Sequence, residues 1–200
     1  MGGVLSRNDK GPDVGTLQQQ LNCLGPTRLP RLDIDQGYGV LTMARVMEFQ
    51  KQQGLSVDGA VGPNTAKKLS GKPTTCDKSD APAGRCILVD LYGMKLTAFK
   101  DGKAELNISP IIGGRPKFPS HRGVFQMTSR RLRHHTSSAF PKPHDNMQFA
   151  LFYNGGEAIH QGSPTTQSHA CIHVAPGAAE HVFNWAGKED VVVIIAKDAP

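Results

Sequence analysis

Apolar side chains in the first third of this chain recur at three- and four-residue steps. Val14, Leu17, Leu21 and Leu24 form one such stripe, the spacing that gathers side chains on one face of an α-helix. Asp13 stands where an N-cap is expected, and Gly25-Pro26 where the helix must stop. Ala44, Val46, Met47 and Phe49 mark a second helix that stops near Gly54, and Asn64 to Leu69 a short third one. After residue 84 the pattern changes. Ile87 to Leu91, Lys95 to Phe99, Gly123 to Met127, Phe149 to Tyr153 and Val191 to Ala196 are short runs of strand length and composition. Lys100-Asp101-Gly102-Lys103 reads as a hairpin turn. A last helix is read from Ala178 to Trp185, ended by Gly187. Many short strands separated by turn signals predict a β-sandwich or small barrel.

The two halves are joined by a segment rich in Pro, Gly, Ser, Thr and charge, a linker composition. The expected organisation is a helical domain over residues 1–72, a linker over 73–84 and a mainly-β domain over 85–200, an α+β chain of two domains. The helical part contains an internal echo. Asp35-Gln36-Gly37-Tyr38-Gly39-Val40-Leu41-Thr42 and Asp58-Gly59-Ala60-Val61-Gly62-Pro63-Asn64-Thr65 share Asp, an apolar residue, Gly and Thr at one spacing. Each is expected to be a glycine turn leading into a helix started by its threonine.

Two hundred residues with 38% hydrophobic content fit a globular chain. No apolar run approaches the roughly 18 residues of a membrane helix, so no transmembrane segment is expected. Met1-Gly2-Gly3-Val4-Leu5-Ser6 lacks the basic and apolar regions of a secretory signal. Either the chain has been trimmed, or it leaves the cytoplasm without such a signal, or it stays inside. The net charge of +6 suits nucleic acid, an anionic membrane surface or an anionic cell-wall polymer. The densest basic group, Arg130-Arg131-Leu132-Arg133-His134-His135, has no interleaved aromatics of the kind that stack on bases. Nucleic acid is therefore not an expected partner, and this run is read as a solvated or substrate-facing loop. Of the four cysteines, Cys76 and Cys86 lie near enough in sequence to be bridged, which would imply an oxidising compartment.

The chemistry concentrates in Ile159-His160-Gln161-Gly162 and Ser168-His169-Ala170-Cys171-Ile172-His173-Val174. A thiol attacks as thiolate, and a nearby imidazole is the usual group that makes it one. Cys171 is the candidate nucleophile and His160 its base, with the carbonyl of Gln161 placed to fix the imidazole tautomer. The Ser168-His169-Ala170-Cys171 turn is where backbone N–H groups could form an oxyanion hole, and small Ala170 permits close approach. His169 could donate towards the oxyanion or the substrate. His134, His135, His144, His160, His169, His173 and Cys171 are numerous enough for zinc, but no helix-spaced pair occurs, so neither a metal nor another cofactor is expected.

These motifs carry two resemblances. Residues 4–70, with Gly11-Pro12-Asp13-Val14, Leu17-Gln18-Gln19-Gln20-Leu21, the Asp35 to Thr42 turn, Phe49-Gln50 and the second Asp-Gly turn, resemble the three-helix peptidoglycan-binding module. Residues 87–197 resemble the L,D-transpeptidase catalytic domain, through Ile112-Gly113-Gly114-Arg115, Pro119 to Phe125, Asn154-Gly155-Gly156, Ile159-His160 and Ser168 to Ile172. The resemblance implies a β-sandwich and a metal-free cysteine enzyme of the periplasm or cell envelope. Such an enzyme cuts a tetrapeptide stem before its terminal D-residue and passes the acyl group to another stem, a D-amino acid, a lipoprotein or water. It implies roles for Cys171, His160, Ser168, His169 and Gly162. With Ala170 and Gln161 from the reading of the turn, the expected catalytic set is Cys171, His160, His169, Ser168, Ala170 and Gln161, and Gly162, His173, Tyr153, Arg115 and Asn154 are expected to bind substrate.

The chain departs from the family pattern in three places. Ala170 stands where the motif has glycine, His173 where Arg or Asn is usual, and His121 where the Pro-Thr-Pro segment has proline. The loop from His160 to Cys171 is also short. Two rival expectations use the same residues. One is an antibacterial effector attacking a competitor's wall, paired with a cognate immunity protein. The other is a wall-binding protein whose catalytic site has decayed.

Overall fold

The computed structural model of the protein describes residues 3–76, 81–187 and 190–197. Three helices come first: α1 (Pro12–Asn22), α2 (Val40–Gln52) and α3 (Pro63–Leu69). Strands β1 (Arg85–Asp90), β2 (Lys95–Lys100), β3 (Lys103–Ile108), β4 (Ile111–Ile112) and β5 (Gly123–Gln126) follow, then β6 (Arg131–Leu132), β7 (Ala150–Asn154), β8 (Glu157–Gln161) and β9 (Ile172–Val174). Helix α4 (Ala178–Ala186) and strand β10 (Val191–Ala196) complete the chain. The strands make two mixed five-stranded sheets, in the orders β3-β2-β1-β10-β5 and β4-β9-β8-β7-β6. Each sheet has one parallel pair, β1 with β10 and β8 with β9.

Strand periodicity explains why the runs in β1 and β10 are apolar without alternation. Ile87, Val89, Val193 and Ile195 face the second sheet and α4, among Ile111, Leu151, Ile159, Ile172, Val182 and Phe183. Cys86, Leu88, Ile194 and Ala196 face the other way, into a core shared with Leu17, Leu21, Val46, Met47 and Phe49 of the helices. A strand buried on both faces has no polar positions to show. The helical module therefore covers the outer face of the first sheet. Polar ties rim the same contact: Arg7 holds Asp90 through two bonds of 2.7 and 2.9 Å, and Arg28 pairs with Asp190 at 2.5 Å.

The echo in the helical module has a cause other than the expected one. Helices α1, α2 and α3 start after Gly11, Gly39 and Gly62, with no side-chain cap, so neither Asp13, Thr42 nor Thr65 caps a helix. Instead each threonine meets a buried glutamine. Gln18 Nε2 donates to Asp35, to the Gly37 carbonyl and to Thr42, while Gln50 Nε2 donates to Asp58, the Ala60 carbonyl and Thr65. Each glutamine oxygen accepts a turn N–H in return, from Gln36 and from Gly59. One polar clasp is thus built twice, satisfying a buried amide and fixing a glycine turn. The glutamines escape the echo because they lie 17 and 8 residues before their aspartates.

The disulfide also differs from the expected pairing. Cys23 is bonded to Cys76 across a Cα–Cα distance of 5.5 Å. Cys86 is a free thiol, wholly buried in β1 against the helices, where no partner cysteine reaches it. The bond closes a loop of 53 residues' separation, for which loop entropy gives about 4 kcal/mol. Replacing both cysteines by serine is expected to lower Tm by roughly 10 °C for a chain of this size. Calorimetry checks this; an unchanged Tm would mean the bridge does not restrict the unfolded chain.

The run Arg130 to His135 is solvent-exposed at Arg130, Arg133 and His134, as a solvated loop would be, and its side chains are also tied to neighbours. Arg130 lies 3.9 Å from the centre of the Phe152 ring, Arg131 donates to the Phe183 carbonyl, Arg133 pairs with Glu180 and His134 with Asp145. None of these residues reaches the cavity described next.

Candidate active site

Strands β7 and β8 form a hairpin through Gly155-Gly156, and β8 pairs in parallel with β9. Alternation along β8 sends Ile159 into the inter-sheet core and its neighbours Ala158 and His160 to the opposite face. The register pairs His160 with His173. Cys171, two residues before His173, thereby comes beside Ala158 on the face that carries His160. The Ala158 N–H points at the sulfur, and the thiol donates towards the Gly156 carbonyl at 3.8 Å. Cys171 and His160 are both buried, and both line one cavity of about 770 Å³.

The turn that presents the thiol is held from three sides. Ala170 has φ +75°, a left-handed conformation that costs a residue with a Cβ roughly 1–2 kcal/mol. Glycine would take it freely, which is the physical meaning of the departure at this position. Ser120 Oγ donates to the Ala170 carbonyl at 2.8 Å and accepts the Gly114 N–H at 2.9 Å. Ser168, itself buried, donates to the Cys171 carbonyl at 2.5 Å. Gly114 leaves room for the turn, since a Cβ there would stand 2.8 Å from the Ala170 Cα.

His160 Nδ1 lies 2.7 Å from the Gln161 carbonyl. A carbonyl only accepts, so Nδ1 carries the proton and Nε2 keeps a lone pair. The His173 ring packs edge-on against His160 at 4.9 Å, and its own Nδ1 is held by the carbonyls of Ser163 and Thr166. Burial, then the nearby His173, lowers the His160 pKa to about 4, against the upward pull of the Gln161 carbonyl. Burial pushes the Cys171 thiol up to about 11, with the Ala158 N–H pulling down and Glu157 pushing up. The resting pair is therefore neutral thiol and neutral imidazole.

Of the residues singled out in the sequence, Cys171, His160, His169, Ser168, Ala170, Arg115, Asn154 and His173 all line the cavity. His169 is stacked on Phe118, ring centres 3.7 Å apart, with Phe140 edge-on at 5.4 Å. Gln161 acts through its backbone; its side chain turns to Gln148 outside the cavity. Tyr153 is not at the cavity. It is buried in the inter-sheet core against Phe125 and donates to Glu157, because alternation along β7 sends it inward. Gly162 is also outside, but it supports the site: a Cβ there would stand 2.6 Å from the His173 ring. Gly162→Ala is expected to displace that ring from His160 and reduce turnover about tenfold, with Tm nearly unchanged, measured by parallel kinetics and thermal melts. His121 and Glu157 also line the cavity, and buried Ser120 lies behind it against the Ala170 carbonyl. Glu157 heads a strand directly after a glycine turn, ahead of Ala158 and Ile159, which was the available sequence signal.

Residues 84–194 match the L,D-transpeptidase catalytic domain. The chain belongs to the L,D-transpeptidase family. Residues 10–69 match the peptidoglycan binding domain. Over 67 residues the chain is 38% identical to a probable N-acetylmuramoyl-L-alanine amidase of Bacillus licheniformis, covering 34% of this chain and 19% of that protein. Over 70 residues it is 40% identical to an uncharacterized protein of Kitasatospora aureofaciens, covering 33% of this chain. The chain thus spans 19% and 54% of the lengths of these curated relatives. Among solved structures, the L,D-transpeptidase (Yku) of Stackebrandtia nassauensis shares the fold at TM-score 0.52 and 18% identity, covering 98% of this chain and 96% of that one. Residues 123–326 of the Xylanimonas cellulosilytica L,D-transpeptidase align at 26% identity and TM-score 0.48, covering 98% of each chain. Both sequence motifs read as family resemblances therefore lie in domains of those families.

Proposed function

We propose that this chain performs cysteine-dependent acyl transfer on the tetrapeptide stems of peptidoglycan, in the cell envelope. The observation that carries the reading is that β8 and β9 bring a buried thiol and a tautomer-fixed imidazole to one face, at one cavity. In the first half-reaction Cys171 Sγ attacks the carbonyl before the terminal D-residue as His160 Nε2 takes the thiol proton. The C–N bond breaks, and His160 returns that proton to the departing amine. The product is a thioester on Cys171 and a free D-amino acid. In the second half-reaction an amine or water takes the acyl group and the thiol is restored. Arg115 and Lys117, at the cavity wall, supply positive charge for the carboxylates of a stem peptide. The helical module supplies attachment to the polymer, and the Cys23–Cys76 bridge suits an oxidising compartment.

Mass spectrometry of tetrapeptide muropeptides incubated with the protein, with and without an added D-amino acid, tests this. The expected result is a tripeptide thioester on Cys171, release of the terminal D-residue and, with the additive, an exchanged product. Unaltered muropeptides and an unmodified Cys171 would overturn it.

A further inference from the structure

Four imidazoles line the cavity, those of His121, His160, His169 and His173. Their partners differ. His160 and His173 rest on backbone carbonyls, and His169 on aromatic rings. His121 alone is held by a carboxylate. Its Nδ1 lies 2.5 Å from Glu157 Oε1, and its backbone N–H donates to Glu157 Oε2 at 3.1 Å.

Glu157 is fully engaged in that task. Its side chain is only 8% exposed, and it also accepts from Asn154 Nδ2 at 2.7 Å and from Tyr153 at 3.3 Å. Among the described residues its ion-pair partner is His121. The His121 ring, by contrast, is 68% exposed. With Nδ1 on Glu157, the Nε2 edge has no partner among the described residues. The position is fixed relative to the nucleophile from both ends. Ser120, next in sequence, bonds the Ala170 carbonyl. Gly156, next to Glu157, faces the sulfur with its carbonyl.

Proton balance in the second half-reaction calls for such a group. An acceptor amine arrives as ammonium. Forming the new C–N bond and breaking the C–S bond removes two protons from nitrogen but returns only one to sulfur. His160 can carry the proton that ends on sulfur. The other needs a second base, and a carboxylate on Nδ1 orients an imidazole and fixes the tautomer whose Nε2 can accept a proton.

Resting on the acyl-transfer reading above, we propose that His121, oriented by Glu157, is the base that deprotonates the incoming ammonium acceptor. Its Nε2 takes one proton and releases it to solvent through the exposed edge. The titratable groups around it are Glu157, with Tyr153 bonded to it from the core, Cys171 and His169 of the nucleophile turn, His160 and His173 of β8 and β9, and Arg115 and Lys117 at the rim. His121 is then a catalytic residue of transfer, and Glu157 a positioning residue.

The test is single-turnover chemistry with a tetrapeptide muropeptide donor and a series of D-amino acid amines of graded basicity. In His121→Gln the Cys171 acyl-enzyme is expected to accumulate, because its aminolysis falls about a hundredfold. The residual rate should rise tenfold per pH unit up to the acceptor's own pKa, and added imidazole should restore it. Glu157→Gln should show the same pH slope with a smaller loss. As a check free of any variant, wild-type aminolysis should be nearly indifferent to acceptor basicity. Wild-type rates that follow each acceptor's own pKa, or His121→Gln aminolysis equal to wild type, overturn this inference alone. Failure of the wild type to form any Cys171 acyl-enzyme overturns the reading beneath it.

Discussion

Exchange of Cys171 for alanine is expected to remove the covalent adduct and every product that depends on it. Cross-linking, D-amino-acid exchange and stem trimming should fall together, by at least about 10⁴-fold, the order that loss of a covalent nucleophile costs. The fold should survive, because the sulfur makes only weak polar contacts, with the Gly156 carbonyl at 3.8 Å and the Ala158 N–H, and sits in a small apolar cluster with Ala150, Phe152 and Ala158. Intact mass after incubation with donor, set beside a circular dichroism melt, checks both halves. Persistence of any one of the three products in Cys171→Ala would show that another group attacks the stem.

His160→Gln is the second large effect, and its pH dependence says more than its size. With the thiol at about 11, only about one sulfur in 10⁴ is thiolate at pH 7. The wild type avoids this deficit by passing the proton to His160, so its acylation rate should be flat between about pH 5 and pH 10. Without the imidazole, acylation should fall about 10²- to 10⁴-fold at pH 7, then climb tenfold per pH unit. A plateau in His160→Gln like that of the wild type would sink the assignment. Stability carries the same signature. The folded-state pKa of His160 is lowered from 6.5 to about 4, so between those values the unfolded chain binds the extra proton. Its contribution is complete above pH 6.5 and is lost as pH falls towards 4, by up to about 3 kcal/mol. Urea titrations from pH 7 to pH 4 should show this loss in the wild type and its absence in His160→Gln.

Much of the fold could be read along the chain, and the reasons for the remainder are physical. The helices announced themselves because α1 and α4 each have one wet face. Strands β1 and β10 did so because they are buried on both faces and rich in Ile, Leu and Val. Strands β3, β4, β6, β8 and β9 were not read as strands: β4 and β6 are two residues long, β3 is exposed at an edge, and β8 and β9 carry His160, Gln161 and His173. Chemistry there displaced the apolar alternation on which strand reading depends. Cys171 and His160 were legible because the motif is local and β8 and β9 are neighbours. The inward turn of Tyr153 depended on the register of β7, which no spacing reports. The Cys23–Cys76 bond depended on the return of the chain over α1, and its alternative was chosen by proximity in sequence alone. Glu157 and Ser120 were hidden for the same reason: each matters through a partner 36 or 50 residues away.

The helices α1 to α3 share one core with the outer face of the first sheet, through Cys86, Leu88, Phe99, Ile194 and Ala196. Such a joint does not swing. A wall strand gripped by the helices would be offered to the thiol at a single offset and orientation, as by a jig rather than a leash. Reach would be set by the width of the protein and not by tether length, so lengthening the segment before β1 should leave the choice of stems unaltered. Cutting the helices away would bare a greasy sheet to water, and the shortened chain should clump instead of merely letting go of the wall.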